Sequence, residues 1–592
     1  MVKQENNLTP SIFSAIQKLR ELLTREEKIK WLGIVGFALV VSLLEVVTAS
    51  VIVVFAQVLN DPSVGQKYFQ KLGITENLSP GKTVFYVAIA VGVVYVVKNL
   101  IAAAEVFFQN FSIQKMCFEF KNKLLHRYAQ ADYGFYLTRN SSFGLQVVGS
   151  DVEQAFSSGM VSLARSLSEG SVFIFLVGMI VYVNPTLVLI IFVIGMTLGL
   201  LTSKFLLPKF YYWGQNLQQT GFHTHKNLMQ FFHSFKEIVL LGKKESFVKA
   251  YQVHSKERSK VQAIQTATNA LPRMGIEILF VGLFVLTISY LCMGHESPMQ
   301  MIGLLSGYLY AGFRLMPGLN RIINDLNALK SVIPSIDRVH QEYIAFESKS
   351  NYVDETSFRF TKSIEFNNVN FKYLNSKKNT LSNINLKINK GESVGIVGHT
   401  GSGKSTLIDL ILGLLRPEKG NVLIDAQYKP NSFQWHKKIG YVAQSINLID
   451  DTVEANIAFG CDKIDKEALD NAVDSAQLRQ FVNSLPNGLK TTIGERGIRV
   501  SGGERQRISI ARALYRNPEV LIFDEATSAL DSATEKQLME TIDTICDAHT
   551  VIMIAHRVST LKNCDRIFKI ENGKLSEVRK DSVLAMSHHI GN

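Results

Sequence analysis

The stretch Gly398-His-Thr400-Gly401-Ser402-Gly403-Lys404-Ser405-Thr406 has the spacing G-x-x-x-x-G-K-S. Glycines at that spacing let backbone N–H groups wrap phosphate oxygens at a helix N-terminus. Lys404 would add a point charge on the β- and γ-phosphates, and Ser405 can ligate Mg²⁺. Such a loop needs a strand before it and a helix after it. The apolar run Ser393–Val397 reads as a buried strand and the run 406–412 as a helix. Gly398, Thr400, Gly401, Ser402, Gly403, Lys404, Ser405 and Thr406 are therefore the expected contacts to a nucleoside triphosphate, most simply ATP.

A second constellation supports the first. Val520-Leu-Ile-Phe-Asp524-Glu525 is an apolar strand that ends in two carboxylates. Asp524 is expected to hold Mg²⁺ directly or through water, and Glu525 to orient or polarise the attacking water.

The elements around these residues fall into two regimes. The 592-residue chain is too long for one ordinary domain, and its apolar residues crowd toward the front. Six apolar runs are each long enough to span a bilayer: 31–58, 83–107, 160–183, 187–207, 275–293 and 299–319. The third and fourth are divided only by Asn184-Pro185, the fifth and sixth by Gly294–Pro298. Bases such as Lys115, Lys121, Arg127, Lys236 and Lys243 lie in the long connectors, and the two short turns carry none. The positive-inside rule puts the long connectors and both termini in the cytoplasm. The connectors have helical apolar spacing, so the spans are expected to continue into the cytoplasm, turning near 133–137 and 237–245. The stretch 64–72 of the outer loop reads as a short surface helix.

The net charge of +12 fits basic cytoplasmic loops, and no nucleic-acid partner is expected. The five cysteines, Cys117, Cys292, Cys461, Cys546 and Cys564, have no metal spacing and imply no disulfide framework. No cleavable signal peptide is recognised in the polar first thirty residues. Thr9 suits an N-cap and Pro10 the first turn of an amphipathic helix with Ile12, Ile16, Leu19 and Leu23 on one face. That helix is expected to lie at the membrane surface. Thr24-Arg-Glu-Glu27 is a capping box that starts a new helix. From Phe360 onward, short β-rich runs alternate with helices, the pattern of a soluble α/β domain.

Val500-Ser501-Gly502-Gly503-Glu504-Arg505-Gln506-Arg507 resembles the signature sequence of ABC ATPases, with Val500 for the usual Leu and Glu504 for the usual Gln. In that family Ser501 and Gly503 would contact the γ-phosphate of the ATP held by a second subunit, with Gly502 and Glu504 in the same nucleotide-binding stretch. The same resemblance assigns Gln444 to the Q-loop, touching Mg²⁺ or the attacking water. It assigns Asp531 to the D-loop, His556 to the switch histidine on the γ-phosphate, and Tyr373 to adenine stacking. Thr492–Gly497 looks like the exporter-type segment before the signature. The implied fold is a membrane α-helical bundle of six spans with long cytoplasmic extensions, joined to an α/β ABC-type P-loop nucleotide-binding domain. The expected domains are 1–329, a linker at 330–358, and 359–592. One phosphate loop and one signature per chain imply a half-transporter, by default a homodimer.

The membrane half is similar to PglK-like flippases of lipid-linked oligosaccharides. The similarity rests on 311–323, Ala-Gly-Phe-Arg314-Leu-Met-Pro317-Gly-Leu-Asn-Arg321-Ile-Ile, and on 270–277, Ala-Leu-Pro-Arg273-Met-Gly-Ile-Glu277. It implies that Arg273, Arg314 and Arg321 handle the pyrophosphate of a polyprenyl carrier, and Lys98 is a further candidate for the same surface. Arginine suits that task because it binds phosphate bidentately. Arg165–Glu169 and Arg273–Glu277 have the i,i+4 spacing of intrahelical pairs. The expectation is an integral protein of the bacterial inner membrane that flips such a lipid, with the nucleotide-binding domain in the cytoplasm. Alternatives are export of a drug, a glycolipid or a peptide, a non-transporting ABC ATPase, and a gated channel.

Overall fold

The computed structural model describes residues 10–71, 79–139, 141–183, 199–200, 202–293, 298–346, 358–373, 376, 378–494, 500–525, 539–540, 542, 549–555 and 558–580. The chain forms two compact units. One comprises Met1–Ala131 and Arg139–Lys349, the other Asp132–Thr138 and Ser350–Asn592.

The first unit is helical. Among its described residues, four helices are long and apolar enough to cross a membrane: Arg25–Leu59, Pro80–Ala129, Ser142–Gly178 and Lys244–Leu286. Most of the fourth expected span lies outside the described residues, as do the turns at 184–185 and 294–297. The sixth expected span belongs to the helix Pro298–Ala345, where the side chains of 298–314 are not described. Phe85, Ile89, Val93, Val96, Leu100 and Phe107 leave a long apolar face of the Pro80–Ala129 helix exposed. In water such a face would be a liability, whereas lipid tails solvate it. The chain folds back after Ala129 and again at Leu241–Lys243, near the two expected distal turns. The short outer helix is present at Pro62–Lys71.

Local capping sets the helix starts. Thr24 accepts from the Glu27 N–H at 3.3 Å and Glu27 accepts from the Thr24 N–H at 2.6 Å, closing the expected box. The first helix, Ile12–Leu22, is capped by Ser11, not Thr9, because the Ser11 hydroxyl reaches the Ser14 N–H at 3.1 Å. Pro10 lies before the helix, and Thr9 falls outside the described residues. Of the expected apolar face, Leu19 and Leu23 are buried and Ile16 is exposed. Lys18–Asp337 at 2.6 Å and Glu21–His340 at 2.7 Å tie this helix to the Pro298–Ala345 helix.

The boundary expected at 329/330 is corrected by that same helix. It runs unbroken to Ala345, and Leu329, Val332, Ile333, Ile336 and Val339 bury one face at helical spacing. Residues 330–345 are core helix and not linker. Their polar residues occupy the other faces, which made the stretch read as mixed.

The second unit is an α/β domain. Strands β1 (Ser363–Phe371), β2 (Leu381–Asn389) and β4 (Lys419–Ile424) form an antiparallel sheet in the order β2-β1-β4. A six-stranded sheet has the order β5-β6-β7-β3-β8-β9. Its members are β3 (Ser393–Val397), β5 (Ile439–Val442), β6 (Val520–Asp524), β7 (Thr550–Ile554), β8 (Arg566–Glu571) and β9 (Lys574–Val578). All neighbours in it pair parallel except β8 with β9. Strands β3, β6 and β7 are nearly fully buried apolar runs, as a parallel sheet covered on both faces requires. The phosphate loop follows β3, Glu525 follows β6, and Gln444 follows β5 by two residues. All three sit at the carboxyl ends of parallel strands, where ligands bind in open α/β sheets.

Candidate ATP site and membrane cavity

The phosphate loop leaves β3 and enters the helix Lys404–Ile411. Gly403, the N-cap of that helix, has φ +110°. A Cβ there would lie 2.8 Å from a Leu381 methyl, so both backbone and space demand glycine. Lys404 is buried, and its ammonium donates to the carbonyls of Gly398 at 2.8 Å and His399 at 3.2 Å. The ammonium is thereby held across the concave side of the loop. The Ser402 hydroxyl is buried with no hydrogen-bond partner among the described residues. Thr406 and Tyr373 share a 2.9 Å hydroxyl contact, and the Tyr373 ring packs edge-on against Phe371 at 5.0 Å. Tyr373 therefore stands beside the first turn after the loop, with its phenol engaged.

The acidic pair is built by β6. One Asp524 oxygen accepts from the Tyr441 hydroxyl at 3.2 Å. The other is buried and unpartnered among the described residues. Burial, and secondarily the adjacent Glu525, raise the Asp524 carboxyl above its usual range, against the Tyr441 hydrogen bond and Lys404. A divalent cation would reverse that strain, and the unpartnered oxygen with the exposed Ser405 hydroxyl is a donor set that fits Mg²⁺. Glu525 holds a left-handed backbone, φ 51°, a strained state for a non-glycine residue. Its N–H donates to Ile554 at 3.0 Å, which anchors the strained turn on β7. Its carboxylate accepts from the Gln444 amide at 2.5 Å and lies 4.0 Å from Lys404. Gln444, Asp524, Glu525, Lys404 and Tyr441 are thus one connected group.

The signature stretch opens the helix Gly502–Leu514. Ser501 is its N-cap and accepts from the Glu504 N–H at 3.3 Å, while Glu504 accepts from the Ser501 N–H at 2.7 Å. Glu504 therefore has a local structural reason to be there: it closes a capping box. Asp531 and His556 lie outside the described residues, so their expected roles are not located.

Two features were missed by sequence reasoning. Tyr441 contacts the acidic pair from the neighbouring strand, and only strand order reveals it. Asp409, one turn into the helix after the phosphate loop, has its carboxyl pushed up to about 6 by burial and then by Asp524. Its i,i+3 spacing from Thr406 could have flagged it as inward-facing. The segment Asp132–Thr138 belongs with this unit, and Asp132 approaches Arg416 at 3.9 Å.

In the membrane unit the expected basic set is not a set of free cations. Lys98 pairs with Glu45 at 3.0 Å, both nearly buried. Arg273 pairs with Glu277 at 2.8 Å on an exposed helix face. Arg321 reaches across to Glu169 at 3.1 Å, and the expected Arg165–Glu169 ion pair is absent among the described residues. The carboxylate that answers Arg321 is supplied by another helix. The Arg314 side chain is outside the described residues. A cavity of about 440 Å³ is lined by Glu105 and Gln109 on one helix, Arg165, Ser168 and Glu169 on a second, and Arg321, Asn324 and Asp325 on a third. Of the four expected cations, Arg321 alone lines it among the described side chains.

A phosphate loop, an acid-ended strand and a capped S-G-G-E helix on one parallel sheet define an ATP-binding cassette. The model for ABC transporters matches 381–528, and that for the ABC transporter transmembrane region matches 31–306. The ATP-dependent lipid A-core flippase of Chromohalobacter salexigens is 30% identical over 456 residues, 75% of this chain and 76% of its own. The corresponding flippase of Salmonella typhimurium is 31% identical over 74% of this chain and 76% of its own. The putative multidrug export ATP-binding/permease protein YgaD of Bacillus subtilis is 29% identical over 80% of this chain and 82% of its own. The structure of a bacterial Atm1-family ABC exporter with ATP bound has the same fold, with a TM-score of 0.76 and 21% identity over 93% of this chain and 97% of its own. The chain belongs to the ABC transporter family and is an exporter-type half-transporter, a membrane protein that couples ATP hydrolysis to transport.

Proposed function

We propose that this protein flips a polyprenyl-pyrophosphate-linked oligosaccharide from the cytoplasmic to the outer leaflet of a bacterial inner membrane, as a homodimer with its nucleotide units and termini in the cytoplasm. The observation that carries the reading is a charged, polar cavity inside a bundle whose outer face is apolar. That combination suits a cargo with a hydrophilic headgroup and lipid tails: the headgroup shelters within while the tails stay in lipid. The basic connectors support the orientation. The similarity of 270–277 and 311–323 to lipid-linked oligosaccharide flippases supports the cargo class.

The paired cations grade the pyrophosphate contacts. An exposed pair such as Arg273–Glu277 is worth about 0–1 kcal/mol, so phosphate can displace the carboxylate cheaply. Breaking a buried pair such as Lys98–Glu45 costs roughly 3–5 kcal/mol, so Lys98 is assigned to structure. Arg273 and Arg314 are the preferred pyrophosphate contacts, and Arg321 takes part only by leaving Glu169.

For hydrolysis, the loop N–H groups from Gly398 to Thr406 would hold the phosphates, Lys404 would neutralise the β- and γ-oxygens, and Tyr373 would stack on adenine after releasing Thr406. Asp524, Ser405 and Gln444 would hold Mg²⁺, which neutralises charge that builds on the phosphates. Glu525, oriented by Gln444, would accept the proton of the attacking water, and His556 would contact the γ-phosphate. Ser501, Gly502, Gly503, Glu504 and Asp531 would complete the site on the second copy, and the exposed Ser501 N-terminus suits an anion. The test is flipping in proteoliposomes. Replacing Arg273 and Arg314 together by alanine is expected to slow glycolipid flipping at least about tenfold, the scale of losing charge-assisted bonds. Unchanged flipping would remove the pyrophosphate role. The relatives named as lipid A-core flippases favour a second reading, a phosphorylated glycolipid cargo, which flipping of that lipid but not of the polyprenyl carrier would select.

A further inference from the structure

The membrane cavity carries three carboxylates, Glu105, Glu169 and Asp325, against two guanidiniums, Arg165 and Arg321. Arg321 is already spent on Glu169. The excess of negative charge disfavours a second anion such as pyrophosphate at this place. The unmet needs of the wall are of another kind. Gln109 is 3% exposed, and its amide nitrogen is buried with no partner among the described residues. The side-chain carbonyl of Asn324 and one Glu169 oxygen are buried and unpartnered in the same way. Glu105, 7% exposed, makes no hydrogen bond or ion pair among the described residues. An amide turned over offers the complementary atom, so the mixture of unmet donors and acceptors survives either assignment.

Buried polar atoms left unpartnered destabilise a fold unless something completes them. The completing ligand must donate to carboxylates, both donate to and accept from amides, and add no charge. Neutral hydroxyl groups meet all three conditions, because each donates once and accepts twice. Several hydroxyls on a rigid frame would satisfy three helices at once. The volume, about 440 Å³, falls within the roughly 300–1,000 Å³ of small-molecule sites.

We propose that this cavity is a glycan subsite, in which Glu105, Gln109 and Asn324 take sugar hydroxyls of the cargo headgroup and Arg321 serves to hold Glu169 in place. The proposal rests on the reading of the cargo as a lipid-linked glycan and deepens it: sugar and pyrophosphate occupy different places, the latter at Arg273 and Arg314.

The test compares, in liposomes reconstituted with the full chain, flipping of a polyprenyl pyrophosphate that bears a sugar chain with flipping of the same carrier bare. The ratio of the two rates is read within each variant, so a general loss of activity cancels. Wild type is expected to favour the glycosylated carrier. Gln109→Leu and Asn324→Leu are each expected to lower that ratio roughly fivefold, the effect of about one net hydrogen bond. Glu105→Gln, which keeps side-chain volume, carries the same comparison should the leucine variants fail to reconstitute, and its ratio is expected to fall as well. A wild-type ratio of one, or variants that keep the wild-type ratio, would overturn the subsite and leave the flippase standing. Flipping of neither carrier would overturn the cargo reading and the subsite with it.

Discussion

In the nucleotide unit the groups that would meet ATP lie within a few residues of a strand end, whereas in the membrane unit buried charges such as Lys98 and Glu169 are answered from another helix. Glu525 and Asp524 are consecutive, and Gln444 follows β5 by two residues on the adjacent strand. Lys98 finds Glu45 on a different helix, and Arg321 finds Glu169 on another still. A parallel sheet brings successive loops together at one edge whatever the loops contain, so short motifs suffice there. Long helices bring together residues far apart in sequence, and register between helices decides who pairs with whom. The nucleotide unit therefore concentrates chemistry, and the membrane unit distributes neutralisation.

The largest test of the first half of that contrast is Glu525→Gln. The amide keeps the shape and the Gln444 contact but cannot take a proton from water. ATP hydrolysis by the purified transporter is expected to fall roughly 10²–10⁴-fold, the usual contribution of a general base, with ATP binding retained. Turnover near wild type would mean that concentration of function at the strand end has been misread.

The matching test of the second half is Lys98→Met. It removes the Lys98 ammonium from Glu45 in a nearly buried site and is expected to cost about 3–5 kcal/mol, read as a fall in the thermal unfolding midpoint of the purified protein. Adding Glu45→Leu to the same chain is expected to recover most of the loss, since two apolar residues can replace a buried pair at little cost. Failure of the double variant to recover would show that one member has a further partner. The exposed Arg273–Glu277 pair is the internal control, with an expected effect of at most about 1 kcal/mol on either replacement.

How much was legible follows the same line. The order of β3, phosphate loop and helix, the acid-ended β6 and the helix after the signature were all readable, because each is set by local apolar runs, glycines and caps. The capping box at Ser501–Glu504 was visible as letters yet was read only as a departure from the family pattern. Tyr441 was invisible because its contact depends on β5 lying beside β6. The helix through 330–345 was misread because its buried face, Val332, Ile333, Ile336 and Val339, alternates with Lys330, Asp337 and Arg338. The Arg273–Glu277 pair was legible from its i,i+4 spacing, whereas Glu45 as the partner of Lys98 and Glu169 as the partner of Arg321 arrive only with the packing of helices.

A smaller effect separates the two units by pH. The Asp409 carboxyl, raised to about 6, favours the protonated form in the fold. Its burden on stability is absent below the ordinary carboxylate range, grows as pH rises toward about 6, and is constant above. Asp409→Asn is expected to flatten the fall in stability of metal-free protein between pH 4 and 6 and to raise it at pH 7. An unchanged slope would assign the pH dependence of stability in that range to other groups.

The smallest expected effect is the most discriminating for the signature helix. Ser501→Ala removes a cap that satisfies the Glu504 N–H, and such losses cost about 1 kcal/mol. Glu504→Gln keeps a side-chain oxygen for the Ser501 N–H and gives up only the negative charge at the helix N-terminus. If the two residues serve the helix alone, unfolding measured without nucleotide responds to Ser501→Ala, and ATP-dependent association of two copies is the same for both variants. If Ser501 also meets the phosphate of a second copy, Ser501→Ala weakens that association beyond its effect on unfolding. Glu504→Gln then strengthens it, since one carboxylate no longer faces the incoming phosphate. Association that ignores both substitutions would confine this stretch to local structure and leave the nucleotide site to one chain.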